Sequence, residues 1–152
     1  MRLLVTGATG QLGSELAREL GQLGHTVYAP DLDELDLLEP AAVAAAVRAR
    51  QCDWVINCAA YTAVDQAESE AEQAFIINRD SPGEMARAVA DYGGRMLQVS
   101  TDFIFDGTST RPYTETATPN PLGVYGRSKL EGEQAVQREL PAAVILRTAW
   151  VY

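Results

Sequence analysis

Arg2-Leu3-Leu4-Val5-Thr6-Gly7-Ala8-Thr9-Gly10-Gln11-Leu12-Gly13 is the stretch whose reading decides the fold. A short apolar run, read as a strand over Arg2 to Thr6, passes through three glycines into the helical pattern of Gln11 to Leu23. At such a turn the first glycine allows the tight bend and the second lets the backbone approach a pyrophosphate. The third lets the helix pack close to the strand. Unpaired N–H groups at the helix start would then face the phosphates. Gly7, Gly10, Gln11, Leu12 and Gly13 are therefore candidate cofactor-binding residues, and the bland alternative is a turn needed for packing alone.

Outward from this turn, short apolar runs alternate with amphipathic stretches. Strands are expected over His25 to Pro30, Asp53 to Asn57, Arg95 to Ser100 and Ala143 to Thr148. Helices are expected over Pro40 to Arg50, Ser69 to Tyr92 (broken or kinked at Pro82) and Leu122 to Leu140. Strand, helix and strand at intervals of roughly 30 residues mean βαβ units and a parallel sheet. Continuous apolar strands such as Trp54-Val55-Ile56 fit a sheet covered on both faces. The fold class is α/β, a Rossmann-like doubly wound parallel sheet. Thr101 to Pro121 is one long irregular stretch, of the kind that is usually functional or mobile. The sequence stops at Tyr152 directly after a strand. It is read as a nucleotide-binding domain, residues 1–152, lacking a C-terminal substrate-binding part.

The chain has 152 residues, 47% hydrophobic and 22% charged, with a net charge of −9. That composition is globular and excludes disorder. An acidic chain with no basic run is a poor ligand for nucleic acid or an anionic membrane, so any phosphate site must be built locally. No apolar run approaches the roughly 20 residues of a membrane span, and Met1 to Gly7 is no signal peptide. Cys52 and Cys58 make no disulfide framework, and the single His25 cannot anchor a Cys/His zinc site. A cytoplasmic setting is expected.

Of twelve basic residues, the only lysine is Lys129. It stands four residues after Tyr125 at the start of the last helix, so phenol and ammonium share one helical face. A phenol near pH 10 is lowered by a neighbouring cation, which makes it a better proton donor to a developing alkoxide. Thr101 and Asp102 follow a strand at the carboxyl edge of the sheet, where ligands of open α/β folds bind. The Thr101 hydroxyl is placed to donate to a carbonyl, or to cap a turn. Asp31 ends the second strand, in position to bind a ribose hydroxyl or to stand as a solvated loop charge. No arginine follows it before Pro40, which leans toward NAD over NADP. Asp36 and Leu37 come next, where a side chain would cover an adenine. Cys58 reads as a buried small residue, and Trp150 as either core or a wall of a substrate site.

The glycine spacing, G-x-x-G-x-x-G, is that of the short-chain branch of dinucleotide-binding folds. Taken with Asn57-Cys58-Ala59-Ala60-Tyr61-Thr62-Ala63-Val64-Asp65, Ser100-Thr101-Asp102-Phe103-Ile104-Phe105-Asp106-Gly107, Tyr125-Gly126-Arg127-Ser128-Lys129 and Arg147-Thr148-Ala149-Trp150-Val151-Tyr152, it resembles the dTDP-4-dehydrorhamnose reductase family. This is an extended group of short-chain dehydrogenase/reductases. The resemblance implies NADH- or NADPH-dependent reduction of a 4-keto dTDP-sugar, with Thr101, Tyr125 and Lys129 as the catalytic group. It places Gly10, Gln11 and Leu12 at the pyrophosphate and Asp31, Asp36 and Leu37 at the adenosine end. Ala60, Tyr61, Thr62 and Val99 would lie along the cofactor, and Val64, Thr101, Asp102 and Trp150 would face the sugar. Some members hold magnesium at a dimer contact with an acid matching Glu15, which implies a homodimer. Cys58 and Phe103 depart from the family's usual Ala and Tyr.

Two other classes share these motifs. A non-catalytic regulatory subunit, similar to the β subunit of methionine adenosyltransferase, is disfavoured by the intact Thr101/Tyr125/Lys129 set. A nucleotide-sugar epimerase or dehydratase predicts tightly retained NAD⁺.

Overall fold

The computed structural model describes residues 1–149, so Trp150 lies outside the described residues. Five parallel strands form one sheet in the order β2-β1-β3-β4-β5. They are β1 (Arg2–Thr6), β2 (Thr26–Tyr28), β3 (Trp54–Asn57), β4 (Arg95–Thr101) and β5 (Val144–Thr148). The expected strands are all present, although β2 is only three residues long. From β1 the chain winds outward to β2 and then crosses to β3 on the other side. This reversal opens a crevice at the carboxyl ends of β1 and β3, where doubly wound folds bind ligands.

The helices are α1 (Gln11–Gln22), α2 (Pro40–Arg50), α3 (Ala71–Phe75), α4 (Ser81–Tyr92) and α5 (Val124–Glu139). The main core lies under α2, α4 and α5. There Val43, Val47, Met85, Val89 and Val136 meet Leu4, Val55 and Met96 on one face of the sheet. α1 packs against β1 and β2. Beyond it, Val144 and Leu146 on the last strand are 44% and 49% exposed. Full cover on both faces, expected from the apolar strands, is thus seen on one face only among the described residues.

The expected helix over Ser69 to Tyr92 is divided. A 3-10 turn (Gln66–Glu68) and α3 lead into a π-helical turn (Ile76–Asp80), and α4 begins directly after it. Pro82 sits in the first turn of α4 and has no N–H to give the carbonyl of Asn78, so the ladder widens at this point. The proline therefore neither ends nor bends one continuous helix; it marks where a new one starts.

Candidate active site

A cleft of about 1030 Å³ opens at the carboxyl edge of the sheet. Gly7, with φ of +68°, turns the chain from β1 toward α1, and a Cβ there would stand 2.7 Å from the backbone nitrogen of Ala59. A Cβ on Gly13 would collide with the carbonyl oxygen of Gly7, which leaves only hydrogen at the point where helix meets turn. α1 has no side-chain cap and no acid in its first turn. Its free N–H groups therefore face the cleft unopposed in an otherwise acidic chain.

Three strand ends are tied together beneath this turn. The Thr6 hydroxyl donates to Asn57, the Asn57 amide donates to Gln98 at 2.7 Å, and Gln98 donates to the carbonyl of Val99 at 2.9 Å. All three side chains are buried. This fixes the relative heights of β1, β3 and β4 at the site.

Residues expected on the cofactor side converge here. Gly7, Gly10, Gln11, Leu12, Gly13, Asp31, Asp36, Leu37, Ala60, Thr62 and Val99 all line the cleft. So do Val64, Thr101, Asp102, Tyr125 and Lys129. Tyr61 does not: its hydroxyl donates to Glu70 at 2.7 Å, its ring packs against Ala67, Ala74 and Val124, and only its backbone belongs to this edge. Glu15 lies on exposed α1, paired with Arg18 at 2.6 Å. Among the described residues no group of three metal-ligating side chains comes together.

At one end of the cleft Asp31 is exposed. One of its oxygens accepts the Glu34 N–H at 3.0 Å, while the Glu34 carboxylate accepts the Asp31 N–H at 3.4 Å. Asp36 accepts the Leu38 N–H at 2.8 Å. Leu35 and Leu37 are buried beside these acids. Among the described residues Lys129 is the only basic one on the cleft wall, and none stands at the Asp31 end.

At the other end Thr101 caps a turn: its oxygen accepts the Phe103 N–H at 3.2 Å at the start of a 3-10 turn (Asp102–Ile104), and its hydroxyl donates to the Asp102 carboxylate at 3.2 Å. The Phe103 ring packs edge-on against the Tyr125 ring, centroids 5.5 Å apart. Burial pushes the Tyr125 phenol up and the Asp102 charge adds to this, while the Thr101 hydroxyl works against both.

Lys129 is 4% exposed, and its Nζ donates to the carbonyl of Val99 at 2.8 Å. Burial brings its pKa down to about 8, partly opposed by the charge of Glu133. The expected lowering of the phenol by a neighbouring cation is therefore not what this geometry gives. Lys129 gives its hydrogen bond to β4, and the net direction for the Tyr125 phenol is upward. Cys58 also lines the cleft, its thiol pushed up to about 11 by burial, which fits a packing residue.

Two contributors escaped the sequence reading. Ser100 lines the cleft with a buried hydroxyl that has no partner among the described residues, as a site awaiting a polar ligand would leave it. Asn78, in the π-helical turn, bonds both the N–H and the carbonyl of Tyr61 and donates to Ser128 at 2.9 Å. It braces the β3 edge against α5. An asparagine inside a helical pattern ahead of Pro82 was the only trace of it in the sequence.

A parallel sheet with its switch-point crevice, an open helix start and an unpartnered hydroxyl define a Rossmann-like domain of the kind that holds dinucleotides. Over residues 1–152 the chain matches the model of the RmlD substrate binding domain, and it belongs to that family. It is similar to the dTDP-4-dehydrorhamnose reductase of Mycobacterium tuberculosis, 47% identical over 99% of this chain and 50% of the relative. A crystal structure of a Clostridium acetobutylicum dTDP-4-dehydrorhamnose reductase superposes with a TM-score of 0.96, at 41% identity over 100% of this chain and 54% of the other. A Bacillus anthracis dTDP-4-dehydrorhamnose reductase in complex with NADP gives a TM-score of 0.94 at 38% identity, over 99% of this chain and 54% of the other. The chain spans about half the length of the curated relatives it matches.

Proposed function

We propose that this chain is the coenzyme-binding and catalytic part of a reductase that converts dTDP-4-dehydro-L-rhamnose to dTDP-L-rhamnose with NADH or NADPH. The observation that carries this is the convergence of Thr101, Tyr125 and Lys129 on the same cleft as the glycine turn. The residues fit a dinucleotide: a glycine cradle that a Cβ would fill, an uncapped helix start, and the orphaned hydroxyl of Ser100. Gly10, Gln11 and Leu12 would hold the pyrophosphate, and Asp31, Asp36 and Leu37 the adenosine. Ala60, Tyr61, Thr62 and Val99 would lie along the nicotinamide half, with Tyr61 contributing backbone. When bound, a reduced nicotinamide supplies the hydride that becomes the new C–H bond at the sugar's C4.

The chain's own residues handle the oxygen. The Thr101 hydroxyl donates to the keto oxygen and favours the charge that develops on it. Tyr125 gives its phenolic proton to that oxygen, so the C=O becomes CH–OH and the phenolate recovers a proton from solvent. Lys129, in its charged form, holds the ribose. Val64 and Asp102 form the sugar side of the cleft. With acid and no cation at the Asp31 end, NADH is the favoured coenzyme.

The setting we propose is the cytoplasm, with a dTDP-sugar as the only partner the cleft requires. Among the described residues no helix is long and apolar enough to cross a membrane.

Tyr125→Phe is expected to lower turnover at least about a hundredfold while NADH still binds, read by quenching of protein fluorescence. The same titration with NADPH reads coenzyme choice. Unchanged turnover removes Tyr125 from the reaction.

A further inference from the structure

Glu133 is 3% exposed, one helical turn beyond Lys129 on the same face of α5. A carboxylate so deeply buried is costly unless its oxygens are satisfied. Arg147 on β5 satisfies both, its Nε reaching Oε1 at 3.0 Å and Oε2 at 3.3 Å, its Nη2 reaching Oε2 at 2.7 Å. The same guanidinium donates to the carbonyl of Glu115 and lies 5.5 Å from the centroid of the Phe105 ring. It thereby ties α5 to β5 and to the loop after β4.

Arg147 accounts for why Glu133 can be buried, but not for why a carboxylate is there at all. An apolar residue at 133 with an apolar partner on β5 would hold helix to strand at least as well. The reason lies one turn back, at a buried ammonium whose one hydrogen bond goes to an uncharged carbonyl. The groups facing Lys129 are the Cys58 thiol at the end of β3, the Val99 carbonyl on β4 and Glu133 one turn along α5. Glu133, buried with Lys129 and one turn away on the same helical face, is the carboxylate whose charge favours the ammonium.

We propose that Glu133 is a positioning residue for Lys129, a buried counter-charge anchored by Arg147 that keeps the ammonium protonated and in place at the floor of the cleft. This rests on the reading of Lys129 as a coenzyme-holding residue only for its functional meaning, since the electrostatic coupling is measurable on its own.

The measurement is direct because Lys129 is the chain's only lysine. The 152-residue chain labelled with ¹³C at the lysine ε position gives a single side-chain resonance, whose shift against pH reports the protonation of Lys129. In Glu133→Gln the midpoint is expected to fall by about one pH unit, a tenfold loss of proton affinity. Glu133→Asp keeps a charge for Arg147 but withdraws it by one methylene, so a smaller fall is expected. It also serves as the test if the glutamine variant does not fold. A midpoint unchanged in the variants that fold overturns the proposal, as does an equal fall in both, which would mean packing and not charge. NADH affinity of Lys129→Met is read separately; if it is unchanged, the coenzyme reading of Lys129 fails while the titration still decides the role of Glu133.

Discussion

Lys129 is held against its own solvation. Its pKa of about 8 in the fold lies below the ordinary lysine value of 10.5. Between these limits the unfolded chain keeps a proton that the folded chain has lost, so stability rises as pH climbs through that window. Below about pH 8 the full cost of the buried charge is present. Lys129→Met removes the charge while keeping an unbranched apolar chain. At pH 7 it is expected to stabilise the fold by about 2–3 kcal/mol, with the gain shrinking toward pH 10.5, while coenzyme binding is lost. Denaturant melts of both proteins at several pH values read this. A variant that is no more stable than the parent at pH 7 would mean that Glu133 and the Val99 carbonyl already offset the burial. That Tyr125 and Lys129 reach one cleft was legible in the sequence because a four-residue spacing on a helix is geometry. Their proton affinities were not, since these depend on the Val99 carbonyl, the Glu133 carboxylate and the depth of the cleft, all contributed across the fold.

Between α3 and α4 the π-helical turn places Asn78 inward, and an extra residue per turn is what aims it there. Its amide oxygen accepts the Tyr61 N–H at 2.9 Å, and its nitrogen donates to the Tyr61 carbonyl at 3.1 Å and to Ser128 at 2.9 Å. Ser128 in turn donates to the carbonyl of Tyr125 at 2.8 Å. One side chain thus sets the β3 edge and the Tyr125 turn of α5 relative to each other. Asn78→Ala leaves the Tyr61 N–H and carbonyl without partners, removes the bond that Ser128 accepts, and is expected to cost about 2–3 kcal/mol. Turnover should fall further than stability alone explains, because Tyr125 loses its support. Thermal melts and kcat on the same samples separate the two effects. A melting point equal to the parent's would show that water replaces the brace. Sequence periodicity gave a single helix here, because apolar spacing between Ala74 and Val89 runs on through the turn. Only Pro82 hinted at the break, and a proline says that a hydrogen bond is missing without saying which register replaces it.

At the scale of the molecule, alternation of strand and helix predicted a parallel sheet, and the glycine turn predicted which edge binds. Strand order was beyond that reading, since the βαβ rule fixes handedness and not which neighbour a strand chooses. The order β2-β1-β3-β4-β5 puts the crevice between β1 and β3, and among the described residues it leaves β5 at an edge. Val144 and Leu146 pair in register with Leu97 and Val99, so these four side chains share one face of the sheet. That face is the one opposite α2, α4 and α5, since Ile145 between them packs into the main core. An apolar strip on an edge strand is a template for association through both its side chains and its unpaired backbone. The 152-residue chain on its own is therefore expected to bind a hydrophobic dye and to self-associate as its concentration rises. Leu146→Lys places a charge in the middle of the strip at a residue 49% exposed. It should suppress both dye binding and association in sedimentation velocity, with a stability change within about 0.5 kcal/mol. A chain that stays monomeric with or without the lysine would mean that edge and strip do not drive association.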